Sequence, residues 1–223
     1  MIRMMFEGLD EPVKIAGPTG VVLERKSLYA KLSGYFHQWE EEAGELKLFT
    51  AAYQPLKASE LLVISDIWGF DGNTAPILRQ VYGDLERQFG ENPMLRNELD
   101  QKLSDVTALV FRELLAFDLD LEGKEISLIA LFKSMGLKIE WEGEGVLDRL
   151  FTAARIFKYL PQKKLLVFIG AGQFLEAFEL DSLVDFLKLL RIDTLFLETH
   201  AEDAPEKRYI IEKDYVLIKP DMV

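Results

Sequence analysis

Oxygen-bearing side chains stand at alternate positions in Asp118-Leu119-Asp120-Leu121-Glu122-Gly123. This is the spacing of the first half of an EF-hand loop, whose hard cation prefers such oxygens. The second half of the motif is missing. Ile129 occupies the place of the bidentate glutamate, and Leu119 and Leu121 put apolar groups inside the turn. Glu125 completes a four-carboxylate set with Asp118, Asp120 and Glu122 if the chain folds back at Gly123. Carboxylates this close repel one another unless something neutralises them, which gives a divalent cation a physical role. The spacing alone leaves two readings open, a solvated acidic turn and a cation site.

Positive charge is segregated as sharply. Between Arg149 and Leu175 lie Arg149, Arg155, Lys158, Lys163 and Lys164, with no acid among them. Such a segment either covers a helix face and ends a loop, or meets phosphates without reading sequence. ATP hydrolysis is rejected, because the G-x-x-x-x-G-K-[ST] cradle is absent. Gly17-Pro18-Thr19-Gly20 precedes a strand, and Gly170-Ala171-Gly172-Gln173 lacks the lysine that would reach a phosphate. Asp66 closes an apolar run and reads as a turn residue. His37 and His200 have no neighbouring motif for a triad or a general base, so no catalytic constellation emerges.

The elements that would position these groups follow from hydrophobic periodicity. A strand is predicted from Gly20 to Glu24 after the Gly17–Gly20 turn, then a helix from Lys26 to Glu42 with Leu28, Leu32, Tyr35, Phe36 and Trp39 on one face. Glu45–Thr50 alternates as a short strand, and Leu61–Asp66 is a continuous apolar run, as in a strand covered on both faces. From Thr74 to Phe117 only helical periodicity is found, broken at Gly90-Glu91-Asn92-Pro93. Asn92 there is the expected cap, and Leu95, Leu99, Leu103, Val106, Val110 and Leu114 the expected stripe. A shorter helix is predicted near Glu125–Met135, ended by Gly136. Helices at 146–159 and 179–190 then alternate with strands at 164–169 and 194–198, followed by shorter strands at 208–212 and 215–219. The fold class expected is α/β: a head of residues 1–72 and 146–223 with a largely parallel sheet flanked by helices, plus an inserted helical leg of residues 73–145 that holds the acidic turn.

Composition narrows the function classes. The 223 residues, 49% hydrophobic, are ample for a packed core, and no charge-free apolar run approaches the roughly 18 residues of a membrane span. The first ten residues do not form a secretory signal, which makes the cytoplasm the expected location. Zero Cys excludes disulfides, thiolate zinc sites and cysteine nucleophiles, and two His argue against a histidine metal site. With 38 acids against 26 bases the net charge is −12, so any nucleic-acid contact must be local rather than spread over the surface.

Several segments in fixed order carry a resemblance. They include Leu9-Asp10-Glu11-Pro12, Glu45-Leu46-Lys47-Leu48-Phe49, Asp66-Ile67-Trp68-Gly69-Phe70-Asp71 and Leu119-Asp120-Leu121-Glu122. Lys133-Ser134-Met135-Gly136, Ile156-Phe157-Lys158-Tyr159-Leu160, Lys163-Lys164-Leu165-Leu166-Val167-Phe168-Ile169 and Lys213-Asp214-Tyr215 continue it over nearly the whole chain. In these the chain resembles the type II-A CRISPR-associated adaptation proteins of the Csn-two family, short form. The resemblance implies a degenerate P-loop or recombinase-like head without Walker motifs, and a non-catalytic homotetrameric ring stabilised by Ca2+. It further implies that the ring grips double-stranded DNA ends without sequence specificity, beside the CRISPR integrase subunits and the RNA-guided effector nuclease, in spacer acquisition. Carried over residue by residue, the metal set is Asp118, Asp120, Glu122 and Glu125, with Lys124 standing where an acid is expected. The DNA-facing candidates are Lys133, Lys138, Lys158, Lys163 and Lys164. A metal-dependent nuclease and a protein-binding adaptor are the alternatives from other classes.

Overall fold

Three wholly buried strands organise the head: β3 (Pro18–Leu23), β6 (Leu165–Ile169) and β7 (Thr194–Glu198). The computed structural model describes residues 1–39, 45–115, 121–141 and 143–220. With β5 (Leu61–Ile64), β8 (Arg208–Ile211) and β9 (Leu217–Ile218) these strands form one sheet in the order β5-β6-β7-β3-β8-β9. Every pairing is parallel except β8 with β9. Taken in chain order, the five parallel strands lie in space as second, third, fourth, first and fifth. The chain's first parallel strand is therefore interior, in the largely parallel sheet that was expected.

Alternate residues of these strands enter different cores, which is why their sequences are continuously apolar. Leu165, Val167, Ile169, Leu195 and Leu197 join the core under α1 (Lys26–His37), which contributes Leu28, Leu32 and Phe36. Leu166, Phe168 and Phe196 face the opposite core, filled by Leu150, Ala153 and Phe157 of α5 (Val146–Lys158) and by Leu183 and Leu187 of α6 (Ala177–Leu190).

Two strands escaped the sequence reading. β1 (Ile2–Met5) and β2 (Val13–Ile15) pair antiparallel, and β1 also pairs with β4 (Lys47–Thr50), making a small second sheet. Ile2, Met4, Val13 and Ile15 belong to the core that α1 covers. The predicted turn at Gly17–Gly20 also needs correction, since Pro18, Thr19 and Gly20 lie inside β3. Gly20 serves close strand approach: a Cβ there would stand 2.9 Å from the Arg208 Cβ on β8.

Residues Gly72–Glu140 form a separate compact unit. It contains α2 (Ala75–Gly90), α3 (Pro93–Leu114) and α4 (Leu128–Ser134). Asn92 caps α3, its side-chain oxygen accepting from the Leu95 N–H at 3.2 Å. Tyr82, Leu128 and Phe132 form the core, with Leu99 and Leu103 packed against it. Of the rest of the expected α3 stripe, Leu114 is half-buried while Leu95, Val106 and Val110 are exposed. At 1.5 Å per residue, α3 spans about 33 Å and α2 about 24 Å, so the long helix outreaches its neighbour. Among the described residues, no helix is long and apolar enough to cross a membrane.

Candidate functional site

Of the four carboxylates expected to bind metal, Asp118 and Asp120 lie outside the described residues, while Glu122 and Glu125 are exposed on the leg. Gly123 lies against the Phe111 ring of α3, so closely that a Cβ would stand 2.4 Å from a ring carbon. Beyond it, Glu125, Ser127 and Leu128 run along α3 and share with Arg96, Asp100 and Thr107 a groove of about 750 Å3. Among the described residues, no group of three or more His, Cys, Asp or Glu is placed to hold a metal. Glu122 and Glu125 are hard oxygen donors of the kind calcium takes, and the set reaches four only with Asp118 and Asp120.

The basic candidates divide into two groups. Lys133, on α4, and Lys138, just beyond it, are exposed. The three head lysines are bonded within the chain. Lys158 donates to the Leu190 carbonyl at 3.0 Å, near the carboxyl end of α6, where a cation is favoured. Lys163 donates to the Leu61 carbonyl on β5, and burial lowers its pKa. Lys164 pairs with Glu60. Burial raises the Glu60 carboxyl, but the Lys164 ammonium and the Lys57 N–H outweigh it, leaving Glu60 below its ordinary value. Lys163 and Lys164 thus tie the start of β6 to that of β5.

At the carboxyl edge of the parallel sheet the structure assembles groups that the sequence reading missed. Open α/β sheets bind ligands at this edge, near the point where the strand order reverses. Glu198, the last residue of β7, is 1% exposed. Its carboxylate accepts from the Gly172 N–H at 2.9 Å, in the turn after β6. Burial pushes the carboxyl up to about 8; the Gly172 and Ala171 N–H groups oppose that rise and the Asp203 charge adds to it. Tyr29 of α1 senses the same charge, its phenol raised first by burial and then by Glu198. Gly172 is held so tightly that a Cβ would stand 1.7 Å from the Asp203 carbonyl oxygen. Gln173 closes its own turn by donating to the Gly170 carbonyl at 2.7 Å. One signal was available: an acid ending the otherwise uncharged strand Thr194-Leu195-Phe196-Leu197-Glu198.

The other groups weighed for chemistry take ordinary places. Asp66 accepts from the N–H groups of Trp68 and Gly69 at 3.1 and 2.9 Å, a turn at the end of β5. His37 is exposed near the end of α1, and His200 Nδ1 is 3.0 Å from the Thr199 hydroxyl and 3.5 Å from Asp203.

Residues 38–215 match the family model described as CRISPR-associated protein, Cas_Csn2. A CRISPR-associated protein Csn2 from Streptococcus agalactiae is 38% identical over 224 aligned positions, covering all of both chains. A second Csn2, from Enterococcus faecalis, is 33% identical and covers 97% of this chain and 98% of its own. The crystal structure of Stu0660 of Streptococcus thermophilus superposes with a TM-score of 0.59 at 14% identity, over 98% of this chain and 76% of that one, a likeness of fold.

Proposed function

Because this chain belongs to the CRISPR-associated Csn2 family, we propose that it works in spacer acquisition as a non-catalytic, calcium-stabilised homotetrameric ring. The ring holds double-stranded DNA by its ends without reading sequence, beside the integrase subunits and the RNA-guided effector nuclease. Asp118, Asp120, Glu122 and Glu125 are the residues that would hold calcium in this reading.

The observation that carries the non-catalytic part is the link after the first parallel strand. Glu24 and Arg25 alone join β3 to α1, where a P-loop core places its glycine-rich phosphate cradle. Two residues, one of them an acid, cannot wrap a triphosphate. Self-assembly is supported by the uncovered part of α3, where Val106, Leu109 and Val110 are exposed. Exposed Lys133 and Lys138 support phosphate contact.

The test is a mobility shift of duplex DNA with open or hairpin-closed ends, over a salt series, with and without calcium. Open ends should bind better, and sequence should not matter. Lys133→Glu with Lys138→Glu should weaken every open duplex alike and flatten the logarithmic salt dependence by about two, one for each lost phosphate contact. The Lys163→Glu, Lys164→Glu pair is a less specific probe, because it also removes the bonds to Leu61 and Glu60. DNA cleavage with Mg2+ or Mn2+ would replace this reading with a nuclease, and the absence of any shift would replace it with a protein adaptor.

A further inference from the structure

A recess at the opposite, amino-terminal edge of the parallel sheet is used by nothing described so far. It lies where the chain passes from β2 to β3 and enters β8, and its volume is about 420 Å3. Lys14, Lys207, Lys219, Tyr209 and Glu11 are among its lining residues, three ammonium groups against one carboxylate. Glu11 is already engaged by Lys219, at 2.6 Å. Lys207 is exposed, and its Nζ donates instead to the Ala16 carbonyl oxygen at 2.6 Å. Burial lowers the Lys207 pKa. The acid that it senses, Asp193, already takes the Gly17 N–H at 2.7 Å and the terminal amine at 2.8 Å. Tyr209 is buried, and its oxygen accepts from the Lys14 N–H at 3.4 Å, which leaves the phenol proton to be donated elsewhere. Two lysines and a phenol thus line a recess where, among the described residues, the one lining carboxylate, Glu11, is matched by another lysine.

We propose that this recess binds a phosphate dianion, with Lys14 and Lys207 balancing its two charges and Tyr209 donating to one of its oxygens. Geometry and charge both favour that ligand: tetrahedral oxygens accept from donors arriving along different directions, and ammonium-to-phosphate hydrogen bonds are charge-assisted. A phosphate monoester is largely a dianion above its second pKa of about 6, whereas an internal phosphodiester of DNA carries one charge. The dianion comes either as free phosphate or as the terminal phosphate of a DNA strand. The inference does not rest on the ring reading, since free phosphate tests it without DNA.

Thermal denaturation of the full chain in inorganic phosphate, with ionic strength held constant by chloride, is the first arm. Phosphate at ten times its half-saturating concentration should raise the folded-to-unfolded ratio about elevenfold. Lys207→Gln and Lys14→Gln, both on exposed residues, should each raise the phosphate needed at least tenfold. The second arm compares duplexes with 5′-phosphate and 5′-hydroxyl ends. A preference for the phosphorylated end that is lost in both variants identifies the strand terminus as the source. A phosphate-dependent shift without that preference identifies free phosphate. The proposal is overturned if wild type shows neither effect, or if both variants respond to phosphate as wild type does.

Discussion

Replacing Glu198 by Gln removes a titrating group from the head while keeping an acceptor for the Gly172 N–H. In the folded chain this carboxyl titrates at about 8, against an ordinary value of 4.5, so folding makes it hold its proton more tightly. The sign follows from linkage: the contribution to stability is complete below pH 4.5 and is lost as pH rises through about 8. At roughly 1.4 kcal/mol per unit, the whole loss amounts to about 5 kcal/mol. Urea denaturation of both proteins from pH 5 to 9 isolates it, because the two chains differ only in this side chain. Wild type should lose about 1.4 kcal/mol per pH unit relative to Glu198→Gln between pH 5 and 8, then level off. A difference that stays constant over that range would refute the reasoning, because it would mean that Glu198 ionises in the folded chain as readily as in water.

Gly172→Ala should destabilise the head by about 2 kcal/mol or more in the same denaturation assay, since its Cβ meets backbone rather than a side chain that can swing away. Calcium should raise the melting temperature of wild type, and EDTA should reverse this, because an ion bound only by the folded carboxylate set stabilises that state by mass action. Asp120→Ala should abolish the response, and an unchanged melting temperature in wild type with and without calcium would remove calcium from the proposed function.

The parallel strands were legible because burial on both faces leaves a mark that local reading can detect, an unbroken apolar run such as Leu165–Ile169. β1 and β2 left no such mark. They are four and three residues long, and β1 depends on pairing with β4 more than forty positions later, information absent from any short window. The α3 stripe shows the converse error. Period 3.6 marks an apolar face, but not what covers it: among the described residues Leu99 and Leu103 reach the leg core, while Leu95, Val106 and Val110 are exposed.

Sites divide along the same line. Charge and spacing are local, so the acidic turn and the basic segment could be read directly. What each group touches is not local: Lys163 meets a carbonyl 102 residues away, and Glu198 an N–H 26 residues away. The carboxyl edge illustrates the consequence. Strand order alone would reserve that edge for a ligand. Here α1 begins two residues after β3, and the edge holds a nearly inaccessible acid bonded to the glycine turn after β6. A carboxyl kept neutral by burial up to about pH 8 is compatible with a closed, packed edge and poorly suited to coordinating a nucleotide's metal, which needs an ionised, accessible oxygen. Glu198 and the Gly172 turn, packed against the Asp203 backbone, thus fill this part of the edge with the chain's own groups. Exposed lysines stand away from that edge, among them Lys133 and Lys138 on the leg and Lys14 at the amino-terminal edge of the sheet.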